Sequence, residues 1–223
     1  AVSSTGRKPA VINVFKETTN QSLAGPFVHK ENVVNEYKDQ ILLPHMFSRS
    51  GPFVSTGDVN KDGTGDFFIG GASGQAGNLY LQQNGKFIKK AVAPFESYKG
   101  FEDMGSTLFD ADQDGDLDLY VVSGGSEFPE GSEKYNDRLY LNDGKGNFKR
   151  SALIKTTSSG SCVVPHDIDG DGDLDLYILV NQKLEGVPTN YRPKIIDGSA
   201  ANNDKLFRND GNNTFSDVTM EAG

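Results

Sequence analysis

Three times the chain crowds carboxylates into a nine-residue run, as DVNKDGTGD at 58–66, DADQDGDLD at 110–118 and DIDGDGDLD at 167–175. Each run fits D-x-[DN]-x-D-G-x-x-D. Side chains at alternate positions of a tight loop converge on one point, and the glycine at position six permits the sharp turn. Like charges packed this closely are tolerable only around a cation. The side-chain ligands are then Asp58, Asn60, Asp62 and Asp66 in the first loop, and Asp110, Asp112, Asp114 and Asp118 in the second. Asp167, Asp169, Asp171 and Asp175 serve in the third, and the position-seven carbonyls of Thr64, Asp116 and Asp173 complete the sets. All-oxygen, irregular coordination suits Ca2+ better than Mg2+ or Zn2+, so about three Ca2+ are expected. The first loop, with Asn60 and Thr64 where the others carry aspartate, is expected to be the weakest site.

A single Asp/Gly-rich run would ordinarily be a solvated turn, but threefold repetition argues against that reading. An EF-hand loop starts the same way and needs a bidentate Glu at position 12. That position holds Ile69, Val121 and Ile178, so the EF-hand reading fails. Each loop leads instead into an aromatic and β-branched stretch: DFFI at 66–69, DLYVV at 118–122 and DLYILV at 175–180. These are strand signals. Further on, NLYLQQNGKF, DRLYLNDGKGNF and DKLFRNDGNNTF each read as strand, Gly-containing turn, strand. With an entering strand before each loop (51–57, 105–109, 161–165), every unit of a little over fifty residues holds four strands. That is the arithmetic of a propeller blade.

The loops, with the phrases GPFVSTGD at 51–58, FIGG at 68–71 and FSDVT at 215–219, resemble the FG-GAP or VCBS-type repeats of calcium-binding β-propellers, related to integrin α subunits. The resemblance covers 51–223 and is most specific at the loops. It implies one Ca2+ per loop, joining the first and second strand of a blade. It also implies a large secreted or surface-anchored bacterial protein, and no single activity. The expected fold is all-β, a propeller or partial propeller, with blades at about 51–103, 104–159 and 160–223. Residues 1–50, with possible strands at 11–15 and 27–34, are read as a degenerate or partial blade. Three blades and a fragment leave open edges, so an open propeller cut from a longer polypeptide is expected, with self-association possible through those edges.

Composition agrees with a turn-rich binding module. Twenty-six glycines, 35% hydrophobic residues and a mean hydropathy of −0.50 accompany no apolar run long enough to span a membrane. A net charge of −9 with only scattered Lys and Arg argues against nucleic acid as a partner. The lone Cys162, in the apolar stretch SCVV, cannot close an intrachain disulfide and is expected in the core. Loops of this kind in extracellular proteins bind at roughly 10⁻⁴ to 10⁻³ M, beyond what cytosolic calcium would fill. An extracellular, periplasmic or cell-surface location is therefore expected. No leader is visible at residue 1, as in a mature or excised fragment.

Two long connections between second and third strands, 123–136 and 181–203, should emerge together at the end opposite the calcium loops. They carry Phe128, Glu130 and Tyr135, then Tyr191 and Arg192, rings and polar groups suited to a glycan or protein ligand. Their alternative is variable decoration. His29, His45 and His166 sit in no nucleophile or zinc motif, and Glu127, Glu130 and Glu133 are the only hint of glycoside chemistry. The reading is a calcium-stabilised extracellular binding or scaffolding module. The alternative is a non-autonomous part of a polysaccharide-degrading lyase or hydrolase.

Overall fold

The computed structural model describes residues 15–25, 27–38, 41, 46–151, 155–156, 158–181, 202–211 and 214–222. A two-residue strand β1 (Leu23–Ala24) comes first. The first unit then gives β2 (Val54–Gly57), β3 (Asp66–Ile69), β4 (Asn78–Gln83) and β5 (Lys86–Lys90). The second gives β6 (Asp103–Phe109), β7 (Asp118–Ser123), β8 (Arg138–Leu141) and β9 (Lys149–Arg150). The third gives β10 (Gly160–His166), β11 (Asp175–Val180), β12 (Lys205–Asn209) and β13 (Phe215–Asp217). Each unit is one sheet, its strands antiparallel and adjacent in chain order, with the aspartate loop joining the first strand to the second. The strand β1 adds parallel to the outer edge of the first sheet, Leu23 opposite Phe87.

The three sheets pack in series. Between the first and second lie Val59, Phe68, Leu79, Phe95, Leu119, Val121 and Tyr140. Between the second and third lie Phe109, Tyr120, Val122, Leu139, Leu176, Ile178 and Phe207. Successive side chains of a strand point to opposite faces. All six residues of β7 are therefore buried, Leu119 and Val121 toward one neighbour and Tyr120 and Val122 toward the other. A strand buried on both faces reads as a continuous apolar run. By contrast β11 buries Leu176 and Ile178 and leaves Tyr177 and Leu179 about two-fifths exposed.

The first strands of successive sheets converge. Ser55 Oγ lies 2.6 Å from Ser106 Oγ. A Cβ on Gly124 would overlap the carbonyl oxygen of Gly160, so the second and third sheets approach as closely as they do only with glycine there. The result is a mostly β chain of three sheets with no closed barrel among the described residues, compatible with a partial propeller.

Departures from expectation cluster at the N-terminal side. Of the strand expected at 11–15, residues 11–14 lie outside the described residues. Residues 27–34, expected as a strand, run as irregular chain tied down by a side chain. Gln75 Oε1 accepts the Lys30 N–H at 3.0 Å, and Gln75 Nε2 donates to the Val28 carbonyl at 2.8 Å. Cys162 is exposed rather than in the core, because strand alternation sends only Val163 inward from that stretch. His166 is exposed at the end of β10, and His45 lies outside the described residues.

Candidate metal centres

All three loops turn through two left-handed residues. Position six is Gly63 (φ 82°), Gly115 (82°) and Gly172 (99°), as the motif requires. Position four is left-handed too, at Lys61 (58°), Gln113 (61°) and Gly170 (81°), which the motif did not announce. These turns fold the odd-numbered side chains inward.

In the second and third loops the turn gathers three carboxylates. Oxygens of Asp110, Asp112 and Asp118 lie within 4.8 Å of one another, as do those of Asp167, Asp169 and Asp175. Asp110 Oδ1, Asp112 Oδ1, Asp116 Oδ1 and Asp173 Oδ1 are buried with no hydrogen-bond partner. Buried acceptors without a donor are costly, and a cation resolves the deficit. The donor set is all oxygen with no Cys or His, so it fits a hard cation. Burial, then the neighbouring aspartates, pushes Asp118 up to about 7 and Asp116 and Asp173 up to about 6. A bound dication would reverse that direction.

The position-nine aspartate also has a structural role. Asp66, Asp118 and Asp175 are each 1% exposed. One oxygen accepts the N–H of position two, from Val59 at 3.1 Å, Ala111 at 2.9 Å and Ile168 at 2.8 Å. The other accepts an N–H at the end of the third strand, from Gln82 at 2.8 Å, Asn142 at 2.8 Å and Asn209 at 2.7 Å. The same residue therefore ties the loop to the far hairpin in every unit.

Position five has a hydrogen bond of its own. Oδ1 of Asp62, Asp114 and Asp171 accepts the N–H of Thr64, Asp116 and Asp173, at 2.8, 2.9 and 3.0 Å. These carboxylates brace the turn and stand outside the trios. At position seven, the Asp116 and Asp173 side chains lean toward the hairpin turns: a Cβ on Gly144 would sit 3.3 Å from Asp116 Oδ2, and one on Gly211 3.8 Å from Asp173 Oδ2. The first loop is tied to itself. Asp62 N–H is shared between Asp58 Oδ1 and Asn60 Oδ1, both at 3.1 Å, and Asn60 Nδ2 donates to Asp62 Oδ2 at 3.0 Å. Thr64 Oγ1 lies 2.5 Å from Asp62 Oδ1.

Successive units are joined at the loops by one asparagine each. Asn142 Nδ2 donates to the carbonyls of Val59 (2.8 Å) and Leu117 (3.0 Å). Asn209 Nδ2 donates to those of Ala111 (3.0 Å) and Leu174 (3.4 Å). Each bridges position two of the preceding loop and position eight of its own.

At the opposite end of the sheets, ionic and polar pairs replace the trios, buried in the second unit and exposed in the third. Arg138 meets Asp103 at 2.6 Å, and Asp103 Oδ2 accepts the Gly71 N–H at 2.8 Å. Tyr120 donates to Asp137 Oδ2 at 2.8 Å, and Tyr177 to Asp204 Oδ2 at 2.7 Å. The first unit lacks this pair. It has Phe68 in place of the tyrosine, and a Cβ on Gly77 would lie 2.5 Å from Phe68 Cζ, so ring and glycine occupy the space of the Tyr–Asp contact.

Of the expected ligand residues, Glu130 is exposed and Phe128 half-buried. Tyr135 is 2% exposed, its hydroxyl donating to the Phe128 carbonyl at 2.6 Å. It packs the loop and does not present a ring to solvent. Tyr191 and Arg192 lie outside the described residues.

A family model described as FG-GAP-like repeat matches residues 58–121 and 124–178, more than half of the chain. No curated protein matches the chain.

Proposed function

Since the chain belongs to the FG-GAP-like repeat family, we propose that it is a calcium-stabilised extracellular binding or scaffolding module, an open segment of propeller whose blades are held by ions. The observation that carries this reading is the pair of trios, Asp110/Asp112/Asp118 and Asp167/Asp169/Asp175, beside buried aspartate oxygens that have no donor. Calcium supplies a compact double charge that offsets the crowded carboxylates. The protein residues do the rest. Positions one, three, five and nine hold the ion with the position-seven carbonyl, position five also braces the turn, and position nine fastens the loop to the third strand. Asp58, Asn60 and Asp66 form a third and weaker site, because an amide replaces one charge.

The ligand, a glycan or a protein, meets the opposite end at the second unit's connection, which carries Phe128 and Glu130, and the corresponding stretch of the third repeat supplies Tyr191 and Arg192 in the sequence. Melting curves in Ca2+ and in EDTA test the ion reading, and an EDTA-insensitive curve overturns it. A glycan array with Ca2+ present tests the ligand reading. Binding without turnover that is lost in Phe128→Ala supports it, whereas binding that Phe128→Ala leaves unchanged overturns the placement.

A further inference from the structure

The faces that meet inside the two joints recur, less covered, at the two ends of the array. Toward the sheet before it the second unit presents Leu119, Val121 and Tyr140, and the third presents Leu176, Ile178 and Phe207. Phe67, Ile69 and Tyr80 hold the same register in the first unit, since Phe67 pairs with Tyr80 as Leu119 does with Tyr140 and Leu176 with Phe207. They point away from the second sheet, which receives Phe68, Leu79 and Leu81 instead. Phe67 stacks on Tyr80 at 4.8 Å and meets Phe87 edge-on at 5.0 Å. Phe67, Ile69 and Phe87 are only half-buried, and Val54, paired with Ile69, is 54% exposed.

The far end is open in the complementary way. Tyr177 and Leu179 hold the register of Tyr120 and Val122, which the third sheet buries completely. Val164, paired with Tyr177, shares their exposure. So does position two of the loop: Val59 and Ala111 are buried beneath the following unit, and Ile168 is 44% exposed. The polar bridge is also half made. The Ile168 carbonyl stands where those of Val59 and Ala111 accept Asn142 and Asn209, and it receives no side-chain amide among the described residues. Gln82 stands where the two asparagines do, its N–H on Asp66 as theirs are on Asp118 and Asp175. One chain thus carries both halves of one further joint, at opposite ends of the array.

We propose that the outer face of the third sheet, built on Val164, Ile168, Tyr177 and Leu179, docks the outer face of the first sheet of a second copy of this chain, head to tail. The joint repeats the two already inside the chain, apolar face on apolar face, with the partner subunit's Gln82 set against the Ile168 carbonyl. The two open faces differ from one another, and unlike surfaces that pair join copies into rings or filaments. Two copies of three sheets make six, within the roughly four to eight blades at which propellers close. Both joints are then made, by sheet faces and not by the strand edges that the repeat count alone suggested.

The inference rests on the register of the repeats and on neither the ion nor the ligand reading. Analytical ultracentrifugation of the full chain in Ca2+, over a range of concentrations, tests it. The wild type should sediment as a dimer of 24.1 kDa chains. Leu179→Lys on one face and Val54→Lys on the other place a charge on side chains already exposed. Each alone should give a monomer, because it spoils both joints of the ring. Mixed in equal amounts, the two variants should associate again through the one joint whose faces are both intact, more weakly than the wild type. Leu179→Met should keep the dimer, and both lysine variants should keep the wild-type circular dichroism. Val164→Lys, on the same face, replaces Leu179→Lys should that variant unfold. A wild-type monomer at every concentration overturns the proposal and leaves the face to another occupant. A dimer that survives both lysine variants overturns it as well. So does a dimer that only one of them dissociates, since a face would then pair with its own copy, and so does failure to associate on mixing.

Discussion

The two ends of the sheets solve the same electrostatic problem with different materials. At the loop end, each trio comes from nine consecutive residues, and the turn that gathers it is written beside the ligands. At the other end, Asp103 and Arg138, 35 residues apart, meet only because the chain has folded, and the carboxylate is answered by an internal cation. A local motif can be repeated by copying a short stretch of sequence. An assembled site depends on every sheet contact beneath it, so it occurs once while the loops recur.

The comparison breaks most visibly on removal of metal. At a hundredfold excess over its dissociation constant each bound ion stabilises by about 2.7 kcal/mol, so several together rival the roughly 5 to 15 kcal/mol of a whole domain. EDTA should therefore lower the melting temperature by many degrees, which differential scanning calorimetry reads directly. Arg138→Ala should cost about 3 to 5 kcal/mol in calcium and in EDTA alike, since it leaves Asp103 buried without its partner. If that cost disappears in EDTA, the two ends are not independent.

Within the loop end, Asp112 and Asp118 sharpen the contrast. Asp118→Ala strips two backbone N–H groups of their acceptor and should cost about 2 to 4 kcal/mol even in EDTA, with the ion's contribution lost in addition when calcium is present. Asp112→Ala should lower stability only while calcium is present. Equal losses for the two variants in EDTA would remove the distinction between strap and ligand.

The fall of stability with rising pH should depend on the absence of metal. Without it, burial holds Asp118 at about 7 and Asp116 and Asp173 at about 6, above their ordinary 3.8. The native state then binds more protons than the unfolded chain, so stability falls as pH rises from about 4 to about 7. In saturating calcium the ion holds the same groups ionised, so stability should be level from about pH 5 to about 7 and fall only as pH drops toward the ordinary 3.8 of the unfolded chain. Chemical denaturation at several pH values checks both slopes. The smallest effect should come from Gln113→Gly. Relief of the left-handed backbone, worth about 1 kcal/mol, is largely offset by the freer unfolded chain, leaving a change within about 0.5 kcal/mol. A loss above that would give the Gln113 side chain a role of its own.

Legibility in the sequence divides along the same line. The strands β3 and β11 begin and end where their apolar runs do, because ninth-position aspartate and strand are contiguous. The second role of Asp118 was not legible, since its partners Ala111 and Asn142 lie on either side at unequal distances along the chain. Asn142 and Asn209 left a trace, the shared Asn-Asp-Gly of two hairpins where the first repeat has Gln82. The Asp103–Arg138 pair left none. The 27–34 segment misled because its β-branched and aromatic pairs, Phe27-Val28 and Val33-Val34, look like a strand, yet β1 and not this segment is paired with the first sheet. Tyr135 misled because an aromatic in a long loop can serve as the loop's own core.

The asparagine bridges also give the array a direction. Asn142 rests on the Val59 carbonyl and Asn209 on that of Ala111, so the hairpin of each later unit reads the backbone of the loop before it, whereas in the reverse sense Lys90 Nζ reaches the Lys145 carbonyl at 2.6 Å, in a hairpin turn and not in an aspartate loop. Whether the second loop is filled or collapsed should therefore be felt by the third hairpin through a single amide, while the first hairpin stays indifferent. Fluctuations should spread downstream along the chain, like slack passed from one link to the next, and amide exchange in β12 should quicken when only Asp112 is disabled.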